Sequence, residues 1–322
     1  MRIHNSKYGH VYRGDCLEIM KGLKSNSIDC LVTSPPYWQL RDYGFPGQWG
    51  LEPTIHEYLE KLWKFMDEVK RILKNTGTVW INLGDTYGTK SGNFGQLNGS
   101  KNQEYLKMEN PIKQPPSIHK CLLLIPHRFA IGCIDRGWIL RNDIIWGKIN
   151  PMPESCTDRF SKRHEHVFFF VRNQKYYFDL DSIRDNYIDF DTRDGRDHTG
   201  QRYRVNTEHR EGVKHWWSKG GKNPGDVSDF WALKTTPSND EHYASFGTDL
   251  IDKPIMAGCP PGGVVLDPFC GSGITLQRAI QLGRKAIGID GKKEYVDIAV
   301  EKMKTEKEKG KLFKDSHGAK KI

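Results

Sequence analysis

Val264-Val265-Leu266-Asp267-Pro268-Phe269-Cys270-Gly271-Ser272-Gly273 is the stretch on which the fold turns. A short apolar run ends on an acid and breaks into a glycine-rich turn. Residues 272–282 then carry helical spacing until Gly283 stops it, and Lys285-Ala286-Ile287-Gly288-Ile289-Asp290 is a second apolar run. Strand, turn, helix and strand in that order make a βαβ unit with parallel strands. An open parallel sheet binds its ligands beyond the carboxyl ends of its strands. Asp267, Pro268, Phe269, Gly271, Ser272, Gly273 and Asp290 all fall there. The two glycines let a ligand approach the main chain. Asp290, seventeen residues after Gly273, can accept hydrogen bonds from both hydroxyls of a ribose. Leu276 stands where a dinucleotide fingerprint needs its third glycine, so an adenosyl ligand without a required phosphate fits better. The alternative is a glycine turn that only joins strand to helix.

A second strand end lies far upstream. Ile28-Asp29-Cys30-Leu31-Val32-Thr33 is mostly apolar and stops at Ser34-Pro35-Pro36-Tyr37-Trp38. The run predicts a buried strand that delivers Ser34 to a sheet edge. Thr54 and Glu57 form a capping box. A helix follows, with Leu59, Leu62, Trp63, Met66, Val69 and Leu73 at helical spacing and Asn75-Thr76-Gly77 as its stop. Residues 78–83 are the next strand. Order is lost from 84 to 119, and a loop of that length is usually functional or mobile. It returns with a helix over 126–136, strands over 138–146 and 166–171, and a turn at Asn173-Gln174 leading to a returning strand over 176–178. Residues 184–228 are irregular, with eight Lys or Arg and four Asp or Glu between Thr192 and Asn223. They are expected to be an insertion. A helix over 294–309 precedes a lysine-rich tail expected to fray.

The chemistry of the upstream turn complements that of the glycine turn. An exocyclic base amine is a poor nucleophile because its lone pair is delocalised into the ring. Acceptors on its two hydrogens favour a tetrahedral nitrogen with a free lone pair. Ser34 Oγ offers one acceptor and the Pro35 carbonyl, held by Pro36, another. Tyr37 offers an aromatic face for the base. Together the two turns point to methyl transfer from S-adenosylmethionine to a base amine. Pro-Pro-aromatic also occurs in plain turns.

A chain of 322 residues with 37% hydrophobic residues and a formal charge of +9 suits a folded α/β protein with a polyanionic partner. Seven cysteines without a CxxC pair exclude a zinc ribbon and fit a reducing cytoplasm. The first residues lack an apolar signal core, and no stretch approaches the roughly 18 apolar residues of a membrane span. Arg163-His164-Glu165-His166 lacks partners at ligand spacing, so a structural or DNA-facing role is preferred and no metal is expected.

At these residues the chain resembles the S-adenosylmethionine-dependent amino methyltransferases of bacterial restriction–modification systems. The order, TSPPYW first and DPFCGSG last, is similar to their β-class permutation. Further matches are Gly14-Asp15, Gly137-Trp138-Ile139-Leu140-Arg141, residues 146–153 (WGKINPMP), Asp229-Phe230-Trp231 and His242-Tyr243-Ala244-Ser245-Phe246. Gly247 follows Phe246 where the family usually has proline. The resemblance implies a Rossmann-like α/β fold: a mixed, mainly parallel sheet flanked by helices, circularly permuted in motif order. Residues 1–183 would be the catalytic part, 184–228 a target-recognition insertion, and 229–322 the cofactor-binding part and tail. It implies that Asp15 and Phe246 join the cofactor residues, and that double-stranded DNA is the substrate, with the target base flipped out. Lys148, Asn150, Arg202, Arg204, Lys214 and Lys219 are the candidate DNA contacts. Serine before Pro-Pro-Tyr goes mainly with cytosine N4 in that family, and Asp or Asn mainly with adenine N6. A cognate endonuclease is an expected partner, and a monomer or a homodimer the expected state. A DNA-binding module with a dead site is the reading from another class.

Overall fold

The computed structural model describes residues 2–88, 116–151, 154–183, 185–186, 222–223, 228–234 and 247–316. The strands in chain order are β1 (Arg2–Ser6), β2 (Gly9–Arg13), β3 (Ile28–Thr33), β4 (Leu73–Leu83), β5 (Ile139–Lys148), β6 (His164–Val171), β7 (Asp185–Asn186), β8 (Lys222–Asn223), β9 (Phe230–Leu233), β10 (Val264–Asp267) and β11 (Lys285–Asp290). The helices are α1 (Cys16–Lys21), α2 (Ile55–Ile72), α3 (Ile125–Asp135), α4 (Thr248–Gly258), α5 (Ile274–Gln281) and α6 (Lys293–Ser316).

Nine of the described strands form one sheet in the order β1-β2-β11-β10-β3-β4-β6-β5-β9. From β2 to β4 all neighbours are parallel, and β6 runs antiparallel between β4 and β5. The permuted order is visible at the centre, where Cys30 and Leu31 of β3 pair with Val265 and Leu266 of β10. β3 is buried at every position, Asp29 and Thr33 included, which accounts for its mostly apolar run: both faces of the sheet carry helices.

Alternation divides the core in two. Val79, Ile81 and Leu83 of β4, with Phe168 and Phe170 of β6, pack with α2 and α3. Trp80 and Phe169 face the other way, toward α4, α5 and α6, and their rings stack at 4.0 Å. The capping box of α2 is formed: Thr54 accepts from the Glu57 amide at 3.1 Å, and Glu57 accepts from the Thr54 amide at 3.1 Å. Such a cap contributes about 1 kcal/mol.

Two local expectations change. Helix α2 passes into β4 at Leu73 without a turn, and Asn75-Thr76-Gly77 lies inside the strand. The cause is pairing of Leu73 with Ile28. Residues 176–178 form no strand: the Tyr177 amide donates to Thr76 O at 2.8 Å, while the Tyr176 and Phe178 rings pack on Phe169. The β1–β2 hairpin, α1 and α4 had no sequence expectation.

Residues Asp179–Ser228 cluster as a separate unit, within which the described parts are a single helical turn at Asp181–Ile183 and the antiparallel pair β7–β8. Most of the 184–228 segment, and residues 89–115 of the 86–119 loop, lie outside the described residues. Among the described residues no helix is long and apolar enough to cross a membrane.

Candidate active site

Adjacent parallel strands β3 and β10 end at the same sheet edge, and their last residues are joined. Thr33 Oγ1 donates to Asp267 Oδ1 at 2.6 Å, and the Phe269 amide donates to the same oxygen at 3.1 Å. Asp267 is 1% exposed. Burial pushes its pKa up to about 6, against the opposing effect of the Thr33, Thr275 and Phe269 bonds. Its carboxylate therefore ties the glycine turn to the upstream turn. Pro268 behind it is buried.

Asp290 organises the other side of the glycine turn. Its Oδ2 accepts from the Gly271 amide at 3.0 Å and its Oδ1 from the Lys292 amide at 2.8 Å. Burial raises its pKa to about 6, and those backbone bonds pull the other way. Its main-chain carbonyl accepts from Gly14 N at 3.0 Å, which brings Gly14-Asp15 alongside. Each carboxylate oxygen keeps a further lone pair.

The two glycines serve different ends. Gly271 has φ +50°, and a Cβ there would meet nothing within 4 Å. Gly273 has φ +82°, and a Cβ there would lie 2.6 Å from the Ala299 side chain of α6. Open space over Gly271, beside the Asp290 carboxylate, is what an adenosyl ligand needs. At Gly273 the constraint is helix packing. Ser272 Oγ accepts from Lys302 at 3.1 Å. Asp15 caps α1 by accepting from the Glu18 amide at 3.1 Å, and its other oxygen accepts from Trp49 Nε1 at 3.0 Å. The Trp49 ring meets Phe269 at 5.1 Å, and Phe65 meets Phe269 at 5.6 Å. Phe246 lies outside the described residues.

The upstream turn is held from behind by side chains of three other elements. Tyr58 of α2 donates to the Pro36 carbonyl at 2.8 Å. Pro35 is buried, whereas Ser34, Pro36 and Tyr37 are half-buried. Tyr37 Oη donates to Glu165 Oε2 of β6 at 2.6 Å and accepts from Asn82 Nδ2 of β4 at 2.8 Å. Asn82 Nδ2 also donates to Glu165 Oε2 at 2.8 Å, and Lys148 Nζ of β5 binds Glu165 Oε1. Burial, then the Glu165 charge, holds the Tyr37 hydroxyl well above its ordinary pKa. Burial alone would raise Glu165. The Lys148 ammonium and the bonds from Lys148, Tyr37 and Asn82 outweigh it, and Glu165 lies below the usual carboxylate value. A Cβ at Gly84 would fall 2.6 Å from Tyr37 Cε2, so the Gly84 main chain lies against the ring.

A deep carboxylate-lined glycine turn and a Ser-Pro-Pro-Tyr turn thus share one edge of a mainly parallel sheet. The DNA methylase family model for N6 and N4 methyltransferases matches residues 28–301, from the start of β3 into α6. The chain belongs to the N6/N4 DNA methylase family. Like its relatives it is a β-class amino methyltransferase of the restriction–modification type. It is 37% identical to the type II methyltransferase M.Cfr9I of Citrobacter freundii over 297 residues, covering 92% of this chain and 88% of that protein. It is 36% identical to M.SmaI of Serratia marcescens, covering 90% and 89%. Among solved structures, the cytosine-N4-specific PvuII DNA methyltransferase shares the fold with TM-score 0.61 at 19% identity, covering 92% of this chain and 87% of that one. The Thermus thermophilus modification methylase TTHA0409, solved with S-adenosyl-L-methionine, gives TM-score 0.53 at 21% identity, covering 92% and 95%.

In this methylase the Lys148 ammonium is engaged by Glu165. Asn150 is exposed just beyond β5. Arg202, Arg204, Lys214 and Lys219 lie outside the described residues. Glu165 and its neighbour His166 point to opposite faces of β6: His166 Nδ1 sits 2.8 Å from Asp143 Oδ1. Sequence reasoning saw Glu165 only as part of a histidine-rich run, and passed over Asn82, Tyr58 and Trp49. The period-2 alternation of β6 was the signal that separates Glu165 from its flanking histidines.

Proposed function

We propose that this methylase transfers the methyl group of S-adenosyl-L-methionine to the exocyclic N4 amine of cytosine in double-stranded DNA. The observation that carries the reading is the Thr33–Asp267 bond, which starts both turns from one point. Bound S-adenosylmethionine supplies an electrophilic methyl group. Asp290, the open face of Gly271 and the Asp15–Trp49–Phe269 wall suit its adenosyl part. Ser34 Oγ and the Pro35 carbonyl accept the two amine hydrogens and free the nitrogen lone pair. Positioning of this kind supplies much of the rate in a bimolecular transfer. The Pro36 carbonyl already accepts from Tyr58.

A base in a duplex reaches this turn only after leaving the stack. Residues 184–228, with Arg202, Arg204, Lys214 and Lys219, are proposed to read the target. Their cations set affinity and its salt dependence, and Asn150 is proposed to hydrogen-bond the DNA backbone. The preference for cytosine rests on serine at position 34. All seven cysteines are free, which suits the reducing cytoplasm proposed for the protein. A cognate endonuclease is the proposed partner in the cell. Mass spectrometry of duplex DNA digested after reaction tests the reading. N4-methylcytosine is the expected product, and N6-methyladenine alone would reassign the base. Persistent DNA binding with no transfer on varied sequences would leave a binding module.

A further inference from the structure

A serine hydroxyl can accept a hydrogen bond or donate one. Toward an amine nucleophile only acceptance helps, because a donated hydrogen would occupy the lone pair that must attack. An aspartate at the same place has no such ambiguity. Something must therefore fix the direction of the Ser34 hydroxyl, and the described residues contain a chain of bonds that does so.

Resting on the methyl-transfer reading above, we infer that Glu165 is a positioning residue that acts through Tyr37 to make the Ser34 oxygen a one-way acceptor for the substrate amine. The Tyr37 hydroxyl hydrogen is taken by Glu165 Oε2 at 2.6 Å. Its oxygen can then only accept, and it does so from Asn82 Nδ2 at 2.8 Å and from Ser34 Oγ at 3.5 Å. The serine hydrogen points inward and its lone pairs are left for the substrate. At 3.5 Å the Ser34 bond is at the limit of range, so it orients the hydroxyl more than it polarises it. Catalytic hydrogen bonds of this kind tighten when substrate is in place.

The rest of the network keeps Glu165 an acceptor. An ionised carboxylate has no hydrogen to give, and Lys148 stands against its second oxygen to hold it charged. The Glu165 side chain is 12% exposed and that of Lys148 24%. Asn82 is oriented by two acceptors at once, Tyr37 and Glu165, and its own buried Oδ1 is left without a hydrogen-bond partner. An amide held with an orphaned oxygen shows that its donor side dominates the placement.

The test is a cycle of variants read by transfer of a tritiated methyl group to duplex DNA, with a cofactor titration on each protein. E165Q should lower kcat about 100-fold, the scale of losing one preorganised bond at a reacting group, with cofactor affinity and the KM for DNA within about twofold. In the S34D background, where the acceptor needs no orientation, E165Q should cost less than about fivefold. A Y37F/E165Q double variant should be no slower than Y37F, because the path through the hydroxyl is already gone. Equal losses from E165Q in the Ser34 and S34D backgrounds, or additive losses with Y37F, would overturn the inference while leaving the function intact. If E165Q loses its unfolding transition, Y37F and S34D/Y37F take its place. A Y37F loss that shrinks in the S34D background then supports the inference, and an equal loss in both backgrounds overturns it. A wild-type protein that transfers nothing to any duplex overturns the function and the inference together.

Discussion

Thr33 and Asp267 stand 234 positions apart and share a hydrogen bond of 2.6 Å. It couples the last residue of β3 to the last residue of β10, and with them the two turns proposed to hold the base and the cofactor. The bond is made by a carboxylate whose burial raises its pKa from 3.8 to about 6. A raised carboxyl pKa means that the folded state binds the proton more tightly than the unfolded chain. Its stabilising contribution is full below pH 3.8 and is lost as the pH rises to about 6. Asp267→Asn should therefore gain stability relative to wild type as the pH goes from about 4 to about 7. The change is at most about 3 kcal/mol, from about two pKa units. Paired denaturant titrations at several pH values measure it, and a constant difference between the two proteins would refute the assignment.

Removing the Ser34 hydroxyl should separate binding from turnover. Ser34→Ala leaves Asp290, Gly271 and the Trp49–Phe269 pair untouched, so cofactor affinity should hold. The transfer rate should fall by about two orders of magnitude, the usual cost of one lost bond to a reacting group. Single-turnover transfer beside a calorimetric titration of cofactor checks both halves. An unchanged rate would remove Ser34 from the mechanism.

The glycines at 271 and 273 should fail in different ways. Gly273→Ala sets a Cβ against Ala299 at φ +82°, so stability should fall by about 1–3 kcal/mol, the range of overpacked sites. Gly271→Val meets no protein atom within 4 Å of its Cβ and carries only the strain of a left-handed residue, about 1–2 kcal/mol. Its main loss should be cofactor affinity. Thermal unfolding and cofactor titration of both proteins discriminate the two. Equal affinity losses would show that the two positions do the same job.

Local sequence carried much of this fold because its central strands and helices are periodic. β3, β10 and β11 are short apolar runs with sharp ends, and α2 and α5 have clean caps or stops. The missed elements lack such marks. Strand β1 is polar and mostly exposed, and α4 contains Pro254, which argues against a helix locally and is tolerated by packing. The site divided in the same way. Turn residues could be named from spacing, while Glu165, Asn82 and Tyr58 reach Ser34-Pro35-Pro36-Tyr37 from strands and a helix that meet it only in three dimensions. Lys148 belongs with them: nothing in its neighbourhood along the chain announces its pairing with Glu165.

Gly84 offers a test of how tightly the Tyr37 ring must be held. The residue follows β4, and its main chain lies so close that a Cβ would come within 2.6 Å of Cε2, 3.2 Å of Cδ2 and 3.3 Å of Cζ. Distances below ordinary contact on three ring atoms cannot be relieved by a small rotation, because the hydroxyl is anchored by Glu165 and Asn82. Gly84→Ala should push the ring out of line and stretch the anchor. Misplacing a reacting arrangement by about 1 Å costs on the order of 100-fold in rate. The loss should appear in kcat, with cofactor affinity preserved, since Gly271 lies on the neighbouring turn and Asp290 at the end of β11. Kinetics of Gly84→Ala alongside Tyr37→Phe provide the check. A fully active Gly84→Ala protein would mean that the ring moves freely, and that its fixed position has no part in the transfer.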